Sequence, residues 1–249
     1  PDNLSECRIT SFVCCTKERP EPLKNCIESY RSNFSRYKGD VRRIIILDDS
    51  VSADSVNKNM NITGIKPERK TGPDLIYVGN REKAEFKKVL SGKSRDIPDQ
   101  VLDFAFKGEL GANRNISLLF TAGENIISAD DDTAPLFSDP PEAEQEMIEL
   151  TSSFEPVIFK MMQSMQELSD EVSFSDKDIA QLYKGFLGKD AASLISSLNQ
   201  DFLLMKDCSG DFAVHLIKHG GRIRLASTGI TGDCAMSSLK GYLLCRSTS

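Results

Sequence analysis

Residues 111–132 read GANRNISLLFTAGENIISADDD. Ala112 to Ala122 predicts a helix, opened at Gly111 and closed by Gly123 as its C-cap. Asn125 to Ala129 predicts a strand, and it runs directly into Asp130-Asp131-Asp132. Three adjacent carboxylates repel one another, and at a strand end that repulsion is costly without a cation. A divalent magnesium or manganese ion removes the cost, because such hard ions take oxygen ligands from one or two carboxylates and from substrate phosphates. Taken alone, the triplet also reads as a solvated acidic turn into Thr133-Ala134-Pro135. What favours a metal is its place in the chain.

Upstream, the pattern repeats. Ile9 to Cys15 (ITSFVCC) is a compact run of strand formers, followed by Thr16-Lys17-Glu18-Arg19-Pro20. Pro20 and Pro22 suit the first turn of a helix, and Leu23, Cys26, Ile27 and Tyr30 continue at helical spacing. Val41 to Leu47 (VRRIIIL) predicts a second strand, apolar enough for a sheet covered on both faces, and it ends in Asp48-Asp49-Ser50. Leu75 to Val78 predicts a third strand, and Asn125 to Ala129 is the fourth. Alternating strands and helices imply a mostly parallel, twisted sheet with flanking helices. Open sheets of this kind bind ligands at the carboxyl ends of their strands. Three of the four strand ends here carry polar residues suited to a nucleotide, a sugar or a metal. Gly111 permits close approach, and the helix N-terminus with Arg114 favours an anionic phosphate. Residues 51–73 read as a surface loop or weak helix, and residues 87–103 have mixed character with no clear assignment.

After Pro140 the pattern turns helical to about Leu204, with an apolar stripe from Met147 to Met162 that reads as core. Ser175 to Asp178 predicts a cap before a helix carrying Ile179, Leu182, Tyr183 and Phe186, with Gly188 near its end. Phe212 to Ile217, Gly220-Gly221 and Arg222 to Ala226 predict a hairpin. The expected organisation is a single domain over 1–249. Its parts are a ligand-binding half (1–138), a helical insertion (139–205) and a final half (206–249) that the stop at Ser249 leaves incomplete. The chain starts at Pro1, which predicts a trimmed or partial protein.

The net charge of -6 argues against a nucleic-acid partner. No apolar run approaches the length of a membrane span, although peripheral membrane association stays open. The seven cysteines lack zinc-finger spacing and read as reduced, buried thiols, which predicts a cytoplasmic protein.

The stretches SFVCCTKERPEPLKNCIESYR (11–31), IIILDDS (44–50) and GANRNISLLFTAGENIISADDD (111–132) together resemble family 2 glycosyltransferases of the GT-A fold. These belong to the nucleotide-diphospho-sugar transferase superfamily, and the resemblance covers roughly the first 137 residues. It implies a hexosyltransferase-like enzyme that moves a sugar from a nucleotide-sugar, expected to be UDP-linked, to an acceptor of unknown class, assisted by Mn2+ or Mg2+. It places Thr16 and Arg19 near the nucleotide, and Asp49 on its base or ribose. Arg114 and Asn115 come near the uracil or diphosphate. Asp130 and Asp131 approach the ribose and donor sugar, and Asp132, with Asp130, ligates the metal. Such enzymes draw a carboxylate base from their second half, for which Asp233 is the candidate, an inverting mechanism being expected. The segment TGITGD (228–233) also reads as a tight turn with a capping aspartate, and His215 and His219 as acceptor-side or structural residues. Two other readings stay open: a nucleotidyltransferase of similar fold, disfavoured because no glycine-rich loop follows the first strand, and a non-catalytic nucleotide-sugar-binding relative.

Overall fold

Ile44, Ile45, Ile46 and Leu47 are all fully buried, as a strand covered on both faces must be. They form the centre of a four-stranded parallel sheet in the computed structural model. The structure describes residues 8–64, 72–93, 97–107, 111–138 and 173–190, with short stretches at 149–150, 204–205 and 222–226 and a few single positions.

The chain divides into two compact units. The first, Pro1–Pro135 with Asp176–Lys184, holds the sheet. Its elements are β1 (Ile9–Thr16), α1 (Pro20–Tyr37), β2 (Arg43–Asp48), α2 (Ala53–Ile62), β3 (Asp74–Val78), α3 (Asn80–Lys93), α4 (Asp99–Phe106), α5 (Ala112–Phe120), β4 (Asn125–Asp130) and α6 (Ile179–Lys184). The strand order is β3-β2-β1-β4, all parallel. The α/β class and the four expected strands are therefore present.

Side chains of β1 alternate between two cores, as a strand's period of two requires. On one face Phe12 stacks on Tyr30 of α1 with ring centroids 4.2 Å apart and lies 5.7 Å from Phe34. On the other, Val13 joins Ile45, Leu47, Val78 and Ile116, with Phe106 and Phe120 packed against them. Phe86 of α3 closes this second core at 5.1 Å from Phe120. The buried positions of α1 (Leu23, Cys26, Ile27, Tyr30, Asn33 and Phe34) follow the helical repeat read from the sequence.

Some expectations need correction. Residues 53–62, read as a loop or weak helix, form α2, started at Ser52 and holding Ser55, Asn59 and Ile62 inside. Residues 87–93 lie in α3 and 99–103 in α4; α3 turns a largely charged face outward and α4 exposes Val101 and Phe104, which blurs the apolar period. Gly111 has φ -92°, and a Cβ there would meet nothing within 4 Å, so nothing among the described residues requires glycine there. Gly123 has φ +85° and does need to be glycine, consistent with its role in ending the helix. Asp178 caps α6 as expected, its Oδ1 accepting from the Gln181 N–H at 3.1 Å.

At the amino-terminal edge of the sheet, the Glu124 carboxylate accepts from Ser11 (2.6 Å), Thr10 (2.8 Å) and the Arg43 guanidinium. Arg43, then Ser11, hold its carboxyl down at about 2 against an ordinary 4.5. A depressed carboxyl contributes stability above its unfolded value and loses it as pH falls through the folded one. Glu124→Gln is expected to destabilise the fold by about 1 kcal/mol at pH 7, since the group is partly solvated. The difference from wild type should shrink between about pH 4.5 and pH 2 in urea unfolding. A difference independent of pH would show that the ion pair contributes nothing.

The second unit, Leu136–Ser175 with Gly185–Ser249, contains short pairings. Strand β5 (Leu136–Ser138) pairs with β7 (Phe174–Asp176), and β6 (Glu149–Leu150) pairs in parallel with β8 (Leu204–Met205). Asp190 bridges Arg222 in antiparallel fashion, with Ile223 N–H donating to Lys189 O at 2.9 Å. The described residues of the expected helical insertion thus include strand as well as helix. Val214, expected in a strand, is helical, because the apolar spacing of 212–217 serves either period. Of the apolar stripe from Met147 to Met162 only Leu150 is among the described residues, and it lies in strand β6 where a helix was expected; His215 and His219 lie outside the described residues. Among the described residues no helix is long and apolar enough to cross a membrane. Cys14, Cys15 and Cys26 are free thiols, as expected of them. Burial pushes the Cys15 thiol up to about 11.

Candidate functional site

The order β3-β2-β1-β4 places a reversal between β1 and β4. The chain builds β2 and β3 on one side of β1, then returns to add β4 on the other. Crevices at such reversals, at the carboxyl ends of the strands, are where open parallel sheets take ligands. Register confirms which residues meet there, since Cys15 pairs with Asp130 and Thr16 with Asp48.

Across this reversal the aspartate triplet divides its work. Asp131 is buried, with both carboxylate oxygens occupied: Thr16 Oγ1 donates to Oδ2 at 2.6 Å, and Arg19 donates to Oδ1 at 2.8 Å. Burial raises its carboxyl; the bonds from Thr16 and Arg19 work against the rise, and Asp132 and Asp130 add to it. Asp130 and Asp132 are exposed instead. Arg114 reaches Asp130 Oδ1 at 3.2 Å, and Arg19 reaches Asp132 Oδ2 at 3.0 Å. Asp130 Oδ2 and Asp132 Oδ1 accept no hydrogen bond among the described residues. Thr16 and Asp131 are therefore turned toward each other, whereas Arg19, Arg114, Asp130 and Asp132 keep polar atoms open to solvent.

The acidic pair after β2 divides in the same way. Asp48 is fully buried and accepts from Ser50 N–H (2.8 Å), Asn59 (2.9 Å) and the Tyr77 hydroxyl (2.8 Å), so it braces the loop. Burial, then the Asp48 carboxylate, push the Tyr77 hydroxyl well up. Asp49 stands beside the site, its N–H bonded to Thr16 O at 3.0 Å and its carboxylate paired with Lys83 at 2.6 Å.

Glu18 sits between Thr16 and Arg19 with φ 56°, a left-handed conformation uncommon outside glycine. Its carboxylate accepts from the N–H groups of Val51 (2.6 Å) and Ser52 (2.9 Å), and its own N–H donates to Ser50 Oγ at 2.7 Å. The bonds from Ser52 and Val51 hold its carboxyl below the usual range. These contacts lock the loop after β1 onto the loop after β2, and the sharp turn delivers Arg19 to the aspartates.

Asn115 is exposed and makes no side-chain hydrogen bond among the described residues. Asp233 lies outside the described residues. Sequence reasoning missed Lys83, Asn113 and Glu18. A lysine within NREKAEFKK and a glutamate within TKERP read as solvated charges, and no local pattern marks either as anchored.

Among the described residues no group of three or more His, Cys, Asp or Glu side chains is arranged to hold a metal ion. The donor set nevertheless fits a hard divalent ion of the kind that completes its shell with phosphate oxygens. Asp130 and Asp132 each offer an unengaged carboxylate oxygen, and such ions need only one or two carboxylates from the protein. Two arginines beside those carboxylates suit the phosphates themselves. Comparison with protein-family models, with curated proteins and with solved structures gives no match, so the reading of this site rests on its own chemistry.

Proposed function

We propose that this chain is a GT-A-type glycosyltransferase that moves a sugar from a UDP-linked donor to an acceptor hydroxyl, amine or thiol. The observation that carries the reading is the gathering of Arg19, Arg114, Asp130 and Asp132 at the reversal of the sheet, beside Asp49. Two cations and two open carboxylates at a strand-end crevice match a ligand that combines a diphosphate with a divalent ion.

In this reading Asp130 and Asp132 hold Mn2+ or Mg2+, which when bound supplies charge neutralisation at the diphosphate. Arg19 and Arg114 orient the phosphates and stabilise the negative charge that grows as the bond from the anomeric carbon to the phosphate oxygen breaks. Thr16 and Asp131 keep Arg19 in place. Asp49 accepts a hydrogen bond from the base or ribose. The acceptor attacks the anomeric carbon from the opposite side, and a carboxylate takes its proton, for which the resemblance nominates Asp233.

Calorimetric titration with UDP-sugars, with and without manganese, tests this directly. The expected result is binding that manganese strengthens. A folded protein that binds no nucleotide under either condition would sink the proposal. Release of pyrophosphate from a nucleoside triphosphate, in place of nucleoside diphosphate from a sugar donor, would select the nucleotidyltransferase reading.

A further inference from the structure

Lys83 of α3 is a cation in the interior, 5% exposed. An ammonium has three protons to donate, and all three are engaged. They meet Asp48 O at 2.7 Å, Asp49 Oδ1 at 2.6 Å and Asn113 Oδ1 at 2.6 Å. Asn113 in turn donates to Leu47 O at 3.2 Å, which anchors the first turn of α5 to the end of β2. The lysine therefore has no proton left for a ligand. It determines where one carboxylate oxygen of Asp49 sits, and it leaves Asp49 Oδ2 without a hydrogen bond among the described residues. The Asp49 side chain is 15% exposed, so that second oxygen belongs to a carboxylate at the edge of the site. Short side chains at a loop sample several rotamers, and a three-way buried anchor removes that freedom before any ligand arrives.

We propose that Lys83 is a positioning residue for nucleoside recognition: it acts through Asp49 by presenting that carboxylate preset for a base or ribose donor. This rests on the nucleotide-sugar reading of the site. Removing the ammonium would leave Asp49 free to swing and its charge unbalanced, weakening the nucleoside contact while the diphosphate contacts of Arg19 and Arg114 stay.

The test is calorimetric titration of UDP and of inorganic pyrophosphate, each with manganese, into wild type, Lys83→Met, Asp49→Asn and the double variant, all verified as folded by circular dichroism. Each single variant is expected to bind UDP about tenfold more weakly, with pyrophosphate affinity unchanged, and the double variant no more weakly than either single one. A merely structural role would lower both affinities together, or give losses that add. Either outcome overturns the proposal, as does full UDP affinity in folded Lys83→Met. If Lys83→Met does not fold, Lys83→Arg replaces it in the same titrations; it keeps the charge but cannot converge three donors on one point, so the same loss confined to UDP is expected. Wild-type protein that binds neither ligand would instead overturn the glycosyltransferase reading, and this inference with it.

Discussion

Asp132→Ala is expected to lower manganese-dependent release of nucleoside diphosphate by about 100-fold, the scale seen when one group stabilising a developing charge is removed. Stability should change by no more than about 0.5 kcal/mol, because the side chain is half exposed and its one described partner is Arg19 at 3.0 Å. The split between the two readouts matters. Asp131 lies one residue earlier but is buried between Thr16 and Arg19, so truncating it would disturb the fold and the site together. Donor turnover followed against manganese concentration, alongside thermal unfolding, checks the prediction. Undiminished turnover in folded Asp132→Ala protein would take the residue out of the site.

Phe12→Ala is expected to cost about 3–5 kcal/mol, the range for deleting a fully buried phenylalanine. The ring has no exposed surface and packs against both Tyr30 and Phe34, so α1 lacks a replacement contact at that level. A loss of this size is a large share of the stability of an ordinary domain, about 5–15 kcal/mol. The same helix begins immediately after Arg19, so loosening it also frees the guanidinium that spans Asp131 and Asp132. Urea unfolding at pH 7 measures the cost, with Phe12→Leu expected to lose less because it refills part of the cavity. A cost below about 1 kcal/mol for Phe12→Ala would mean that the aromatic layer repacks and does not tie α1 to the sheet.

Strands β1 to β3 were legible because a covered sheet demands near-continuous apolar runs, as in ITSFVCC, IIIL and LIYV, and β4 from its Ile126-Ile127 pair ahead of the aspartates. Helix α1 was legible from its prolines and its repeat of buried positions. Helices α3 and α4 were not, since α3 turns a largely charged face to water and α4 exposes Val101 and Phe104 while burying Leu102, so no clean apolar period forms. The short apolar run at 212–217 fits two periods, so its spacing does not choose between strand and helix.

For the site, the sequence by itself determined which residues stand at strand ends, and therefore that Thr16, Arg19, Asp49, Arg114 and the aspartate triplet share one edge of a parallel sheet. Tertiary structure alone decided how their charges are shared. It turned Asp48 and Asp131 inward, where each is neutralised or fully hydrogen-bonded, held Asp49 half-buried against Lys83, and left Asp130 and Asp132 at the surface. It also brought Lys83 from a helix that reads as solvated into contact with three oxygens at the end of β2. The physical reason is that a strand's apolar burial is written in adjacent residues, whereas compensation of a buried charge depends on partners far apart in the chain, here 112 to 115 residues for Asp131 and 30 to 35 for Lys83.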